Sequence, residues 1–305
     1  MQFTSESVKY RFDFLKYRYV WLFVSILYLV VGVGAYFSLG GFKYHIDFTG
    51  GALLRVSFEK PVDIGELRSV IGKGGWKEAG VQEVETSKRT FLIRLGGEQA
   101  SDLEPKIIAA LTAGIPGNKA TITQTSKVGA EVSSETKWNA IVAVLLSMLV
   151  LLLYIAFRFE FRFGVGAVAA LAHDLLAILA FLILTGEQVS LDVLAAMMAV
   201  LGYSVHDTIV IFSRIRENFK NLKNLSEYDI VNLSINQTLS RTLLTSFATM
   251  LSVLAILVLG GETLRGLSLI MLVGIIVGTY SSIYIASPIM MAIKAKKELE
   301  QTEAK

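Results

Sequence analysis

Gly202–Asn218 reads GYSVHDTIVIFSRIREN, and this stretch decides what kind of molecule the chain is. An aspartate, Asp207, sits inside an apolar run from about Leu191 to about Phe212, and Arg214 and Arg216 close the run as bases do at a membrane surface. A carboxyl group several residues deep in hydrocarbon is costly even on the gentler insertion scales, so its presence points to a role. The run is one of six. Apolar windows fall at Tyr19–Leu39, Asn139–Phe157, Phe163–Leu184, Leu191–Phe212, Leu243–Leu259 and Leu267–Ile293. Each is at or near the ~20 residues that a spanning helix needs.

The composition agrees. Of 305 residues 53% are hydrophobic and 18% charged, with a mean hydropathy of +0.56, which fits a polytopic membrane protein rather than a soluble enzyme. The net charge of +3 is a by-product of topology, not a nucleic-acid footprint. With no cysteine, disulfides and thiolate metal sites are excluded. Lys9, Arg11, Lys16 and Arg18 precede the first apolar run like the start of a signal peptide. That run is long and lacks an A-x-A cleavage site, so a retained anchor is expected.

Basic residues orient the spans. The N-terminal tail, Arg158 with Arg162, the group Arg214, Arg216, Lys220, Lys223 and Arg241, and the tail lysines Lys294, Lys296 and Lys297 all fall on one side. The opposite connections, Thr185–Ser190 and Gly260–Gly266, hold only Arg265. Both termini are therefore expected in the cytoplasm, with the chain crossing a membrane several times. Residues 40–137 then lie outside as one α+β domain. Ala52–Phe58, Val81–Thr86, Thr90–Leu95 and Ala120–Lys127 read as strands, with a turn at Ser87–Arg89 and helices at Asp63–Gly72 and Asp102–Leu111. The order βαββαβ is the ferredoxin-like pattern. The expected division is residues 1–18, an amphipathic cytoplasmic segment marked by Val8, Phe12, Leu15 and Tyr19; 19–39, the first helix; 40–137, the external domain; 138–293, a five-helix bundle with a cytoplasmic loop at 213–241; and 294–305, a cytoplasmic tail. Ser226–Ser240 reads as an amphipathic surface helix with a capping-like Ser226 and Asp229. Gly274 with Gly278, and Gly166 with Ala170, are spaced for close helix packing.

Few ionisable residues fall within the spans: His173 and Asp174 in the third, His206 and Asp207 in the fourth, and Arg241 at the threshold of the fifth. Asp207 lies five residues before Phe212, roughly 7–8 Å from that end. The fifth window is short for a span, so its helix should take in Arg241, at a depth similar to Asp207 on the next helix. A carboxylate and a guanidinium at one depth can pair, and moving the arginine would switch the carboxyl between holding and releasing a proton. The bland alternative is an arginine that snorkels to the headgroups beside a structural aspartate. No metal site is expected, because His173, Asp174, His206 and Asp207 would need convergent geometry and a supporting shell. An intramembrane aspartyl protease using Asp174 and Asp207 is the rival of a different class. Its two carboxyls differ in expected depth, and GYSVHD lacks the glycine-aspartate signature.

Four stretches together carry a resemblance: Ile46–Gly51 (IDFTGG), Ala170–Leu175 (ALAHDL), GYSVHDTIVIFSRIREN, and Asn236–Thr242 (NQTLSRT). With them the chain resembles, over its whole length, the SecD–SecF family that assists the protein-secretion channel, within the resistance–nodulation–division superfamily. The resemblance implies a transport subunit rather than an enzyme. It places Asp207 and Arg241 in a proton path that powers late, ATP-independent steps of export by the proton-motive force, with no cofactor beyond protons. His206 stands where the family usually has asparagine, and it, His173 and Asp174 would be relay or support residues. Asp47, Gly50 and Gly51 would form a tight-turn junction at the external domain. The implied partners are SecD, the SecYEG channel, YajC and YidC, the translocating preprotein and membrane lipid, with no nucleic acid. A stand-alone exporter of the same superfamily is the nearest alternative.

Overall fold

The computed structural model describes residues 12–76, 79–84, 88–95 and 103–293. Val8, Ser87, Asp102 and the tail at 294–305 with its lysines lie outside the described residues. The chain divides into two units, Tyr44–Val142 and the remainder.

In the first unit, alternation builds a half-buried sheet. Along β1 (Gly51–Phe58), Ala52, Leu54, Val56 and Phe58 are buried and the residues between them are not. That period of two is what a sheet with one covered face requires. The other strands are β2 (Gly80–Glu83), β3 (Thr90–Leu95) and β4 (Ala120–Val128), all antiparallel, in the spatial order β2-β3-β1-β4. A bulge between Arg55 and Val56 shifts the β1–β4 register. The covered face meets α3 (Ile64–Lys73) through Leu67 and Ile71, and α4 (Leu103–Gly114) through Ile107 and Leu111. Asp63 caps α3 by accepting from Gly65 N at 2.8 Å and Glu66 N at 3.2 Å. That satisfies donors a helix start leaves open. From Gly51 to Val128 the described elements run strand, helix, two strands, helix, strand. The second strand is described to Glu83, and Glu85 and Thr86 of the expected Val81–Thr86 lie outside the described residues.

The remainder is helical: α1 (Arg18–Ser38), α5 (Ala130–Arg158, its N-terminal part in the first unit), α6 (Phe161–Thr185), α7 (Leu191–Asn221), α8 (Glu227–Leu259) and α9 (Gly261–Ser281). Between α1 and β1 lies the single turn α2 (Ile46–Thr49). After α9 comes a π turn at Ser282–Ala286 and a last short helix, α10 (Ser287–Ala292). Pro288 cannot donate to the carbonyl one turn back, and the helix widens just ahead of it. Among the described residues six helical stretches are long and apolar enough to cross a membrane. Those built on α6, α7 and α9 with α10 are half buried against one another, whereas α1, α5 and α8 expose most of their apolar surface.

Two expected boundaries are corrected. The loop at 213–241 is mostly helix: α7 runs on to Asn221, α8 starts at Glu227, and only 222–226 connect them. The helix expected at Ser226–Ser240 is present, capped by Ser226, whose Oγ accepts from Asp229 N at 3.1 Å, and it continues without a break into the fifth span as α8. Hydropathy marks where a helix enters hydrocarbon, but charged residues such as Arg214 and Glu217 are good helix formers and extend it beyond. Side chains hold the two extensions together, with Asn218 Nδ2 donating to Ser234 Oγ at 2.8 Å and Arg214 Nε to Gln237 Oε1 at 2.6 Å. Likewise α9 begins at Gly261, inside the connection expected at Gly260–Gly266.

Gly274 and Gly278 are where α9 presses on α7. A β-carbon at Gly274 would overlap the side chain of Val200, and one at Gly278 would lie 2.9 Å from Ser204 Cβ. Gly274→Val is therefore expected to overpack this contact and cost about 1–3 kcal/mol. The melting temperature of the purified protein in detergent checks it; an unchanged value would mean that the helices separate freely.

Candidate functional site

The spans place two polar clusters inside the bundle. The first is centred on Asp174 of α6, which is fully buried. Its Oδ2 accepts from Ser204 Oγ on α7 and from Ser281 Oγ on α9 at 2.9 Å. Its Oδ1 lies 3.2 Å from His173 Nδ1. His173 Nε2 lies 3.2 Å from Ser25 Oγ on α1, Ser25 lies 2.7 Å from Tyr280 Oη, and Tyr280 donates to the Trp21 carbonyl at 2.7 Å. Donor counting gives this chain a direction. Tyr280 has a single proton and directs it to Trp21, so Ser25 donates to Tyr280 and His173 Nε2–H donates to Ser25. The network ties four helices through one carboxyl.

The second cluster is centred on Asp207, three residues beyond Ser204 on α7 and hence one turn along a similar face. Asp207 is 2% exposed, and its Oδ2 has no hydrogen-bond partner among the described residues. Polar neighbours that bear on the carboxyl are His206 beside it and Ser246 and Arg241 on α8. Ser246 also lies 2.8 Å from Thr279 Oγ1 on α9 and receives the Tyr203 hydroxyl at 3.4 Å. The α7–α8 contacts from Tyr203–Ser246 to Asn218–Ser234 run antiparallel, and they put Arg241 within one turn of the level of Asp207.

The two do not pair in this structure. No ion pair between Asp207 and Arg241 occurs among the described residues, and Arg241 is exposed. The reason is helical phase. Thr238, Thr242 and Ser246 form the buried stripe of α8, and Arg241 is turned about 100° from Thr242. His206 is likewise exposed, about 100° from Asp207. Asp174 and Asp207 each sit in their own cluster, and no hydrogen bond joins their carboxyls among the described residues. No group of His, Asp and Glu able to hold a metal ion occurs among the described residues.

The motif IDFTGG forms α2 and the entry to β1. Ile46 and Phe48 are buried, and Gly50 and Gly51 have φ of 68° and 124°, conformations that favour glycine. Asp47 Oδ2 lies 3.0 Å from His45 Nδ1. Arg94 on β3 donates to the Tyr44 carbonyl at 3.2 Å. Burial pushes the Arg94 guanidinium below its ordinary pKa, and the Asp47 charge pulls the other way. Asp47 thus serves as a counter-charge beneath the sheet.

The sequence matches the family described as "Protein export membrane protein SecD/SecF, C-terminal" over residues 107–296. It is 40% identical to the protein translocase subunit SecF of Calditerrivibrio nitroreducens, over 94% of this chain and 95% of that one. The chain belongs to the SecD/SecF family. A second SecD/SecF relative, the protein translocase subunit SecDF of Thermus thermophilus, is 39% identical over 95% of this chain, which spans 40% of that longer protein. The crystal structure of a Thermus SecDF superposes with a TM-score of 0.83 over 92% of this chain and 38% of that one.

Within this SecD/SecF chain, the sequence pointed to Asp207, Arg241, His173 and Asp174 but not to the hydroxyls that surround them. Ser25, Ser204, Ser246, Thr279 and Tyr280 are the partners it missed. One signal was present: Ser204 stands one helical turn before Asp207, and Ser281–Ser282 interrupts an apolar span. Asn236 of NQTLSRT, with Asn232, instead accepts from the backbone N–H groups of Phe12 and Phe14, both at 3.0 Å, and so fixes the chain ahead of α1.

Proposed function

We propose that this chain, with a SecD, couples inward proton movement to late, ATP-independent steps of preprotein translocation. Asp207 carries the proposal: it is a buried carboxyl inside a span, with one oxygen unpartnered. In a dry surrounding such a group is cheaper to keep neutral than charged, and a base brought beside it reverses that preference. Arg241 is that base, close in level but turned outward. The exposed side of α8 that bears it is where SecD would pack, bringing a further carboxyl. His206 flanks the site, and the Asp174 cluster anchors the helices around it. We read the other unit as a ferredoxin-like domain outside the membrane that meets the emerging preprotein, with both termini in the cytoplasm; its strand order supports that reading. The pair works at the SecYEG channel with YajC and YidC, and needs no cofactor beyond protons. The test is proton flux. The chain reconstituted with its SecD in liposomes holding a pH-sensitive dye should dissipate an imposed gradient faster than empty liposomes. Equal rates in the two would sink the proposal.

A further inference from the structure

We infer that the cleft between the start of α1 and the end of α10 is a phospholipid site, with the headgroup phosphate on Arg18 and an acyl chain along Leu22, Ile289 and Met291. The cleft has a volume of about 260 Å³, and Arg18, Leu22, Tyr284, Pro288, Ile289 and Met291 line it. Arg18 is therefore the one charged group in a lining that is otherwise aliphatic or aromatic, Tyr19 included, and a cation beside hydrocarbon suits a lipid, an anion joined to hydrocarbon.

Arg18 is built to receive that anion. Its guanidinium lies 4.6 Å from the ring centroid of Tyr19 and 5.7 Å from that of Tyr228. It donates to the Leu15 carbonyl at 3.2 Å and to Tyr19 Oη at 3.4 Å. Five N–H donors are available on a guanidinium, more than these two bonds use. Among the described residues no carboxylate stands within ion-pair distance of Arg18. The cation is held in place by ring faces and a carbonyl, and among the described residues no carboxylate pairs with it.

The apolar wall is equally well defined. Trp21, Tyr280 and Tyr284 stack behind it, with ring centroids 5.3 Å apart for Trp21–Tyr284 and 5.4 Å for Tyr280–Tyr284. The position decides the occupant. Leu15–Ser38 and Leu264–Ala292 are the first and last candidate spans, so the cleft sits where both run out of hydrocarbon. Lipid is the abundant amphiphile at that level. By alternation of the spans, Arg158, Arg162, Arg214 and Arg216 fall at the same end of the bundle. A basic end draws anionic headgroups. The inference rests only on the chain being embedded in a membrane, and not on proton coupling.

The experiment is native mass spectrometry of the full chain in detergent micelles doped with phosphatidylglycerol. The wild type is expected to retain lipid. Arg18→Gln should lower occupancy about five-fold, while Arg18→Lys keeps most of it. Ile289→Trp, whose ring fills the apolar part of the cleft without touching the charge, should lower occupancy to a similar extent. Millimolar inorganic phosphate should leave the lipid bound. Equal occupancy in wild type, Arg18→Gln and Ile289→Trp would overturn the inference, and so would displacement by phosphate alone, which would mean a bare anion site. Either variant decides the matter if the other fails to fold.

Discussion

Asp207→Asn is expected to remove the part of preprotein transport that depends on a proton gradient and to leave the rest. The amide is nearly isosteric with the carboxyl, so the close fit of α7 is kept, yet it cannot take up or release a proton. A charge crossing the whole field is worth about 2.3 kcal/mol per 100 mV, which is a bias of about fifty-fold on a two-state equilibrium. That bias is what the substitution deletes. Inverted membrane vesicles, a reporter preprotein and a gradient that can be collapsed by an uncoupler provide the measurement, with SecD co-purification as the control for assembly. Asp207→Glu should retain part of the gradient-dependent increment, because it keeps the titrating group. If Asp207→Asn vesicles respond to the gradient like the wild type, the carboxyl is a structural group and the coupling site lies elsewhere.

Asp174→Ala is expected to be the most destabilising single change in the bundle. It strands the Ser204 hydroxyl and His173 Nδ1, and it takes from the Ser281 hydroxyl one of its two acceptors, the other being the Gly278 carbonyl at 3.1 Å. Each buried polar group left without a partner costs about 1–3 kcal/mol, so a loss of about 3–5 kcal/mol follows once neighbours relax. Asp174→Asn keeps one acceptor oxygen and should lose only about 1–2 kcal/mol. Thermal unfolding in detergent separates the two variants. A melting temperature for Asp174→Ala equal to that of the wild type would show that the four helices do not depend on this carboxyl. The contrast between the two aspartates is deliberate in physical terms: one is satisfied by its surroundings, and the other is left with an oxygen to spare.

Much of this was legible in the residues because a membrane simplifies the code. Hydrocarbon demands internally bonded backbone, so a long apolar window can hardly be anything but a helix. Strands were legible from short β-prone runs and the turns between them, as in Ala52–Phe58, where Ala52, Leu54, Val56 and Phe58 are buried. What escaped was phase and extent. Arg241 has the depth that counting residues gives it, but its direction depends on which stripe of α8 is buried, and α8 is apolar on nearly every face. The serines escaped for another reason. In a span, a serine reads equally as a small residue for close packing or as a hydrogen bonder, and Ser204 is both: it meets Gly278 and donates to Asp174.

The π turn at Ser282–Ala286 sets the phase of the last helix. Ser281 and Met290 are nine residues apart, and on an unbroken α-helix they would point about 180° from one another. Both nevertheless meet α6: Ser281 bonds Asp174, and Met290 with the Ala286 carbonyl lies against Gly166. A π turn spends one residue more than an α turn and so takes back about 100° of rotation, leaving the two side chains about 80° apart. Gly166 and Asp174, eight residues apart on α6, are offset by about the same angle. The widened turn works like a vernier between two rulers of equal pitch. It lets one helix engage its neighbour at two separate levels, where a regular helix of the same sequence would have to give up one of them.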